Sequence, residues 1–134
     1  MSEDVRGILV GHGKLAEGLL DAVEGIIGSR EGLIPLDNAD LTPEALEVRL
    51  LELVGKGPAV VFVDLPSGSC AFAARRIRAH HPRIAVVCGV NLPLVLDFAF
   101  HRTLPIEEIL ERLRTHVGVS IEYSTDADSS VPGR

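Results

Sequence analysis

Ile8-Leu9-Val10-Gly11-His12-Gly13-Lys14-Leu15-Ala16 is the stretch on which the fold turns. An apolar run that reads as a buried strand ends at Val10, helical spacing of apolar residues begins at Leu15, and a histidine stands between two glycines at the join. In an open parallel α/β sheet such a join lies at the carboxyl end of a strand, where ligands bind. The glycines can take backbone angles closed to other residues and leave room for a group to approach the imidazole. On this stretch alone, a tight turn with an incidental histidine is an equally good reading.

Working outward, the chain alternates. After the strand Val5–Gly11 comes a helix over Lys14–Ile27, with Leu15, Leu19, Val23 and Ile26 at helical spacing and Gly28 as its stop. Gly32–Leu36 is a short second strand. Thr42-Pro43-Glu44 opens the next helix, because threonine caps, proline has the φ wanted at the first helical position, and glutamate meets the positive end of the dipole. That helix buries Leu46, Leu50, Leu53 and Val54. Ala59–Val63 is apolar on both faces, as the middle of a parallel sheet requires, and ends at Asp64.

Leu65-Pro66-Ser67-Gly68-Ser69 leads into a helix reaching about His80, and Pro82 stops it. Ile84–Val90 is a fourth buried strand, followed by a helix from about Pro93 to Phe100 and another with Ile106, Ile109, Leu110 and Leu113 on one face. Val117–Tyr123 reads as a last strand at an edge, and Ser124–Arg134 as a disordered tail. The expectation is one domain over residues 1–123. It is an α/β fold with an open, doubly wound, mainly parallel sheet, order 2-1-3-4 plus a C-terminal edge strand, and helices on both faces.

Composition narrows the function. The 134 residues are 46% hydrophobic and 24% charged, typical of an ordinary globular domain. A net charge of −6 and only two lysines argue against nucleic acid, which demands a basic face, and suit a basic protein partner instead. No run approaches the ~18 apolar residues of a membrane span, and the charged start lacks the layout of a secretory signal, so a cytoplasmic location is expected. Cys70 and Cys88 form no CxxC pair and read as reduced, buried thiols. No histidine has metal-ligand spacing, and neither a metal nor a cofactor is expected.

Strand order 2-1-3-4 makes the first and third strands neighbours, which brings His12 beside Asp64. A carboxylate there accepts the Nδ1 proton, fixes the tautomer and leaves Nε2 as a nucleophile. The amides of Ser67-Gly68-Ser69, opening the next helix, can hold an anion against that nitrogen, and Gly13 leaves space for it. Together these describe phosphoryl transfer to a histidine. Rival readings use the same residues less well. Gly11-x-Gly13-x-x-Ala16 with Asp37 is a short dinucleotide-type match without a second half-site. A Walker A loop fails at Ile8 and Leu15, and a receiver domain phosphorylated on Asp64 would need acidic residues beside Gly11 and finds none.

The residues also resemble the IIA component of the mannose family of the bacterial phosphotransferase system. The resemblance runs from Ile8 to about Leu113. It rests on Gly11-His12-Gly13 with Ala16-Glu17-Gly18-Leu19-Leu20, on Val63-Asp64-Leu65-Pro66-Ser67-Gly68-Ser69 with Ala73-Ala74-Arg75, and on Gly89-Val90-Asn91-Leu92-Pro93. It implies that His12 is phosphorylated, that Asp64 hydrogen-bonds its ring, and that the donor is the phosphohistidine carrier HPr. It further implies a IIB-type acceptor protein and a homodimer that exchanges or aligns its terminal strand, with membrane contact only through a IIC/IID permease. The family more often has Gly-Gly-Ser or an aromatic near Pro66-Ser67, where proline here stiffens the loop. A regulatory phospho-switch and the phosphotransfer subunit of a dihydroxyacetone kinase are the alternative roles. His80, His81, His101 and His116, near helix ends, read as surface residues, and Arg75, Arg76 and Arg78 as a solvated helix face. Asn91 and Pro93 are placed at the rim of the site. Cys70 has no histidine beside it in sequence.

Overall fold

The structure, a computed structural model, describes residues 3–115 and 120–125. The elements run β1 (Arg6–Gly11), α1 (Leu15–Ile27), β2 (Leu33–Asp37), α2 (Pro43–Val54), β3 (Ala59–Val63), α3 (Ser69–His80), β4 (Ile84–Cys88), α4 (Leu92–Phe100) and α5 (Ile106–Thr115). The strands pair in the order β2-β1-β3-β4, and every pairing is parallel. This is the doubly wound order expected from the alternation of elements.

Period-2 alternation along the central strands feeds two cores. Ile8, Val10, Val61 and Val63 pack with Leu46 and Leu50 of α2 and Ala74 and Ile77 of α3. Leu9, Val60 and Phe62 pack on the opposite face with Leu20 and Val23 of α1, Phe98 of α4 and Ile109 of α5. There the rings of Phe62 and Phe98 meet edge to face, 5.2 Å between centroids. The caps follow the sequence chemistry. Thr42 accepts from the Ala45 amide at 3.1 Å, Pro43 enters the first turn of α2, and Gly28 ends α1 with φ of 81°. Asn91 caps α4, its side-chain oxygen accepting from the Leu94 amide at 2.9 Å.

Three expectations are corrected. The buried stripe of α1 is Ala16, Leu20 and Val23, while Leu15 and Ile26 are exposed. Two apolar i, i+4 series run side by side here, and the exit angle from the Gly11–Lys14 turn chooses between them. β4 is not fully buried: beyond Ile84 its residues are only half-covered, because it is the last strand of the sheet. The expected C-terminal edge strand is not seen in this sheet among the described residues. Val117, Gly118 and Val119 lie outside the described residues, and Ser120–Tyr123 belong to no strand, with Ile121 86% and Tyr123 80% exposed. Of the tail, residues 126–134 lie outside the described residues. Among the described residues, no helix is long and apolar enough to cross a membrane.

Candidate functional site

Parallel pairing fixes the site. Val10 of β1 is in register with Val63 of β3, so the residues that follow emerge side by side at the carboxyl edge of the sheet. His12 and Asp64, 52 positions apart in sequence, meet there. The ring Nδ1 lies 2.7 Å from Asp64 Oδ2, and the backbone N–H of His12 donates to the same oxygen at 3.0 Å. The His12 side chain is 54% exposed, whereas that of Asp64 is 8% exposed. One end of the pair is therefore held by the protein and the other is open to a partner.

The sequence supplies this geometry in identifiable ways. Gly11 packs against Asp64 so closely that an added Cβ would lie 3.3 Å from Cγ and Oδ2 of the carboxylate. Gly13, with φ of 57°, turns the chain from β1 into α1. Behind Asp64, the amides of Gly89 and Val90 both donate to the Val63 carbonyl, at 2.9 and 3.0 Å, so the turn after β4 pins the peptide that carries the acid.

Burial alone would push the Asp64 carboxyl up. Hydrogen bonds from the His12 ring and amide, the ring's charge and the Leu65 amide outweigh it, and the group sits below the usual carboxylate range. An ionised carboxylate only accepts, so Nδ1 carries the proton and, in the neutral ring, Nε2 presents its lone pair. The second carboxylate oxygen, Oδ1, is buried without a hydrogen-bond partner.

Ser67 and Gly68 lie in an exposed loop after Asp64, and Ser69 is the first residue of α3. Gly68 is the N-cap, with φ of 94° and ψ of −177° and no side-chain cap, a backbone state essentially restricted to glycine. The first amides of a helix have no intrahelical acceptor, and the dipole favours an anion at them. A shallow groove of about 550 Å³ runs past Pro66–Ser69 to Pro43, Phe72 and Arg75. Leu15, Leu65 and Phe72 are exposed large apolar side chains on the turns and helices around the site.

Other residues fall into lesser roles. Asp37 accepts from the Ala39 amide and turns its own loop, and the neighbouring Asn38 ties that loop to Ser69 Oγ at 3.4 Å. Asn91 is a helix cap. His101 Nδ1 bonds the Asp97 carbonyl, His81 Nδ1 accepts from the Arg83 amide, and His80 ends α3 on the surface. His116 lies outside the described residues. Arg76 pairs with Glu47 at 2.6 Å and lies over the Phe72 ring, and Arg75 reaches Cys88 Sγ at 3.5 Å. Cys88 is half-buried, not buried as expected.

Sequence reasoning missed the surroundings of Cys70. The thiol is fully buried in the first turn of α3, and one ligand atom each from His12, Asp64 and Cys70 lie within 4.8 Å of one another. No spacing in the sequence signals this, because His12 comes from the β1–α1 join while Asp64 and Cys70 come from the β3–α3 join, where the path of the loop decides how close they lie.

Comparison with known proteins identifies the family. The family model described as "PTS system fructose IIA component" (EIIA-man) matches residues 7–113. The sorbose-specific EIIA component of Klebsiella pneumoniae is 32% identical over 115 residues, spanning 82% of this chain and 84% of that protein. The mannose-specific EIIAB component of Escherichia coli K12 is 31% identical over 96 residues, which are 67% of this chain but 30% of that longer protein. Among solved structures, EIIA from Streptococcus agalactiae superposes with a TM-score of 0.80 at 23% identity, covering 87% of this chain and 96% of that one. The mannose/sorbose-specific IIA subunit from Enterococcus faecalis gives 0.76 at 22% identity, covering 92% and 98%. These last two speak to the fold. The chain belongs to the EIIA-man family, the mannose-type IIA components of the sugar phosphotransferase system, and its role is phosphotransfer.

Proposed function

We propose that His12 is the phosphoryl acceptor, charged by phospho-HPr, and that it hands the group to a separate IIB-type protein. The observation that carries this reading is the 2.7 Å contact between Nδ1 of a half-exposed histidine and a buried carboxylate at the ends of adjacent parallel strands. In the forward step, Nε2 of His12 attacks phosphorus as the donor's nitrogen–phosphorus bond breaks. The Nδ1 proton stays in place, and the positive charge that grows on the ring is balanced by Asp64. Gly13 and the amides of Ser67, Gly68 and Ser69 receive the phosphoryl oxygens. Transfer onward is the same step in reverse, with the acceptor's nucleophile attacking.

The exposed Leu15, Leu65 and Phe72 support a protein as donor rather than a small molecule, since apolar side chains beside an open site are what a docking protein covers. The reading places the protein in the cytoplasm, in contact with a membrane only through a IIC/IID permease. Its test is incubation with enzyme I, HPr and phosphoenolpyruvate. One acid-labile, base-stable phosphoryl group per chain is expected, and none on His12→Ala. Label retained by His12→Ala overturns the assignment.

We also propose a homodimer built on the outer edge of β4. That edge has no strand partner among the described residues, its Val86 and Val87 are half-covered, and the exposed Ser120–Tyr123 segment is a strand-like sequence without a sheet. A second copy satisfies both.

A further inference from the structure

We infer that His12, Asp64 and Cys70 form a binding site for a thiophilic divalent cation, Zn²⁺ being the best match, and that the cation and a phosphoryl group exclude one another. The first observation is the cluster itself, with imidazole, carboxylate and thiol ligand atoms within 4.8 Å. In a tetrahedral zinc site with bonds of about 2.0–2.3 Å, ligand atoms stand roughly 3.2–3.8 Å apart, so closure needs movements on the order of 1 Å. The half-exposed His12 ring, on a turn flanked by two glycines, supplies that freedom. The second observation is independent: Asp64 Oδ1 is buried without a hydrogen-bond partner, on a side chain more than nine-tenths buried. A cation bound by the carboxylate stabilises an oxygen that the protein alone leaves unsatisfied. Nitrogen, oxygen and thiolate sulfur together favour Zn²⁺ over Mg²⁺ or Ca²⁺, which take oxygen ligands.

A thiol coordinates as its thiolate, so binding expels the proton of Sγ. At His12 either ring nitrogen can bind. If Nδ1 binds, its proton moves to Nε2; if Nε2 binds, its lone pair is used. In both cases the nucleophile is gone. The competition rests on phosphorylation at His12, but the binding does not.

The test uses the full chain and Co²⁺ as a spectroscopic probe, with no phosphoryl donor present. A thiolate-to-cobalt charge-transfer band is expected for the wild type and for Cys88→Ser, and Zn²⁺ should bleach it. Cys70→Ser should lack the band and bind Zn²⁺ at least tenfold more weakly. The wild-type band and its bleaching by Zn²⁺ are a readout that needs no variant to fold. Phosphorylation by purified phospho-HPr, freed of enzyme I, should fall with Zn²⁺ occupancy and return with a chelator, whereas Cys70→Ser should be charged normally at the same Zn²⁺ concentration. Cobalt binding without the band, a band surviving in Cys70→Ser, or equal Zn²⁺ inhibition of both proteins overturns the proposal. Failure of His12 to accept phosphate would overturn the function proposed above and leave the cobalt result standing.

Discussion

Asp64 Oδ2 accepts twice from His12, once from the ring and once from the backbone, so the same atom sets both the position of the loop and the tautomer of the imidazole. Asp64→Asn retains a side chain of similar shape but offers an amide where an anion is needed. Transfer to His12 should slow by roughly 10²- to 10⁴-fold, with the fold intact by circular dichroism. A pH signature belongs to the same atom. Because the folded carboxyl lies below its unfolded value, its contribution to stability is present above the usual carboxylate range and is lost as pH falls through the folded value. The thermal midpoint of the wild type should therefore fall relative to that of Asp64→Asn between neutral pH and about pH 3. Gly11→Ala tests positioning: its Cβ, 3.3 Å from the carboxylate, shifts Asp64 by a few tenths of an ångström, and charging should slow about tenfold with little loss of stability. Of this site, His12 and Asp64 were legible in the sequence because strand order alone makes them neighbours. Cys70 was not, because its approach depends on the path of Leu65–Gly68, which no periodicity encodes.

Gly7, in the second position of β1, faces the ring of Phe98, and an added Cβ would lie 2.6 Å from Phe98 Cε2 and 2.8 Å from Leu33 Cδ2. The Phe98 ring is fully buried against Phe62 and cannot move aside without opening the α4 face of the core. Gly7→Ala should cost about 1–3 kcal/mol in chemical denaturation, whereas Gly18→Ala, on an α1 surface where a Cβ meets nothing within 4 Å, should stabilise slightly. At this scale the helices and strands were legible from apolar period and from Pro, Gly and Thr punctuation. Which face α1 buries was not, since Leu15/Leu19 and Ala16/Leu20 are equally periodic. Nor was the half-exposure of β4: a β-branched run reads the same in the centre of a sheet and at its rim, and only the missing neighbour separates them.

For the molecule as a whole, the β4 edge, without a strand partner among the described residues, makes a specific demand on oligomeric state. Light scattering at micromolar concentration should give the mass of two chains, cutting after Tyr123 should preserve it, and removing residues from Val117 onward should halve it. The mass of one chain for the full-length protein would exclude the dimer. The C-terminal strand could not be placed from one sequence because a segment that completes another copy's sheet carries the same signal as one that completes its own. The 52-residue separation of His12 and Asp64 has a kinetic consequence as well. Between them lie α1, β2 and α2, and the two residues meet only after β1 has paired with β3 across that whole loop, a closure whose entropy cost is met before any contact repays it. Helix content in a refolding chain should therefore recover before His12 can be charged, and chargeability should appear together with near-ultraviolet signals of packed aromatic rings. A nascent or damaged chain that lacks the β1–β3 ladder still displays His12, but without its acid, so under the proposed function only copies that have finished folding should carry phosphoryl groups.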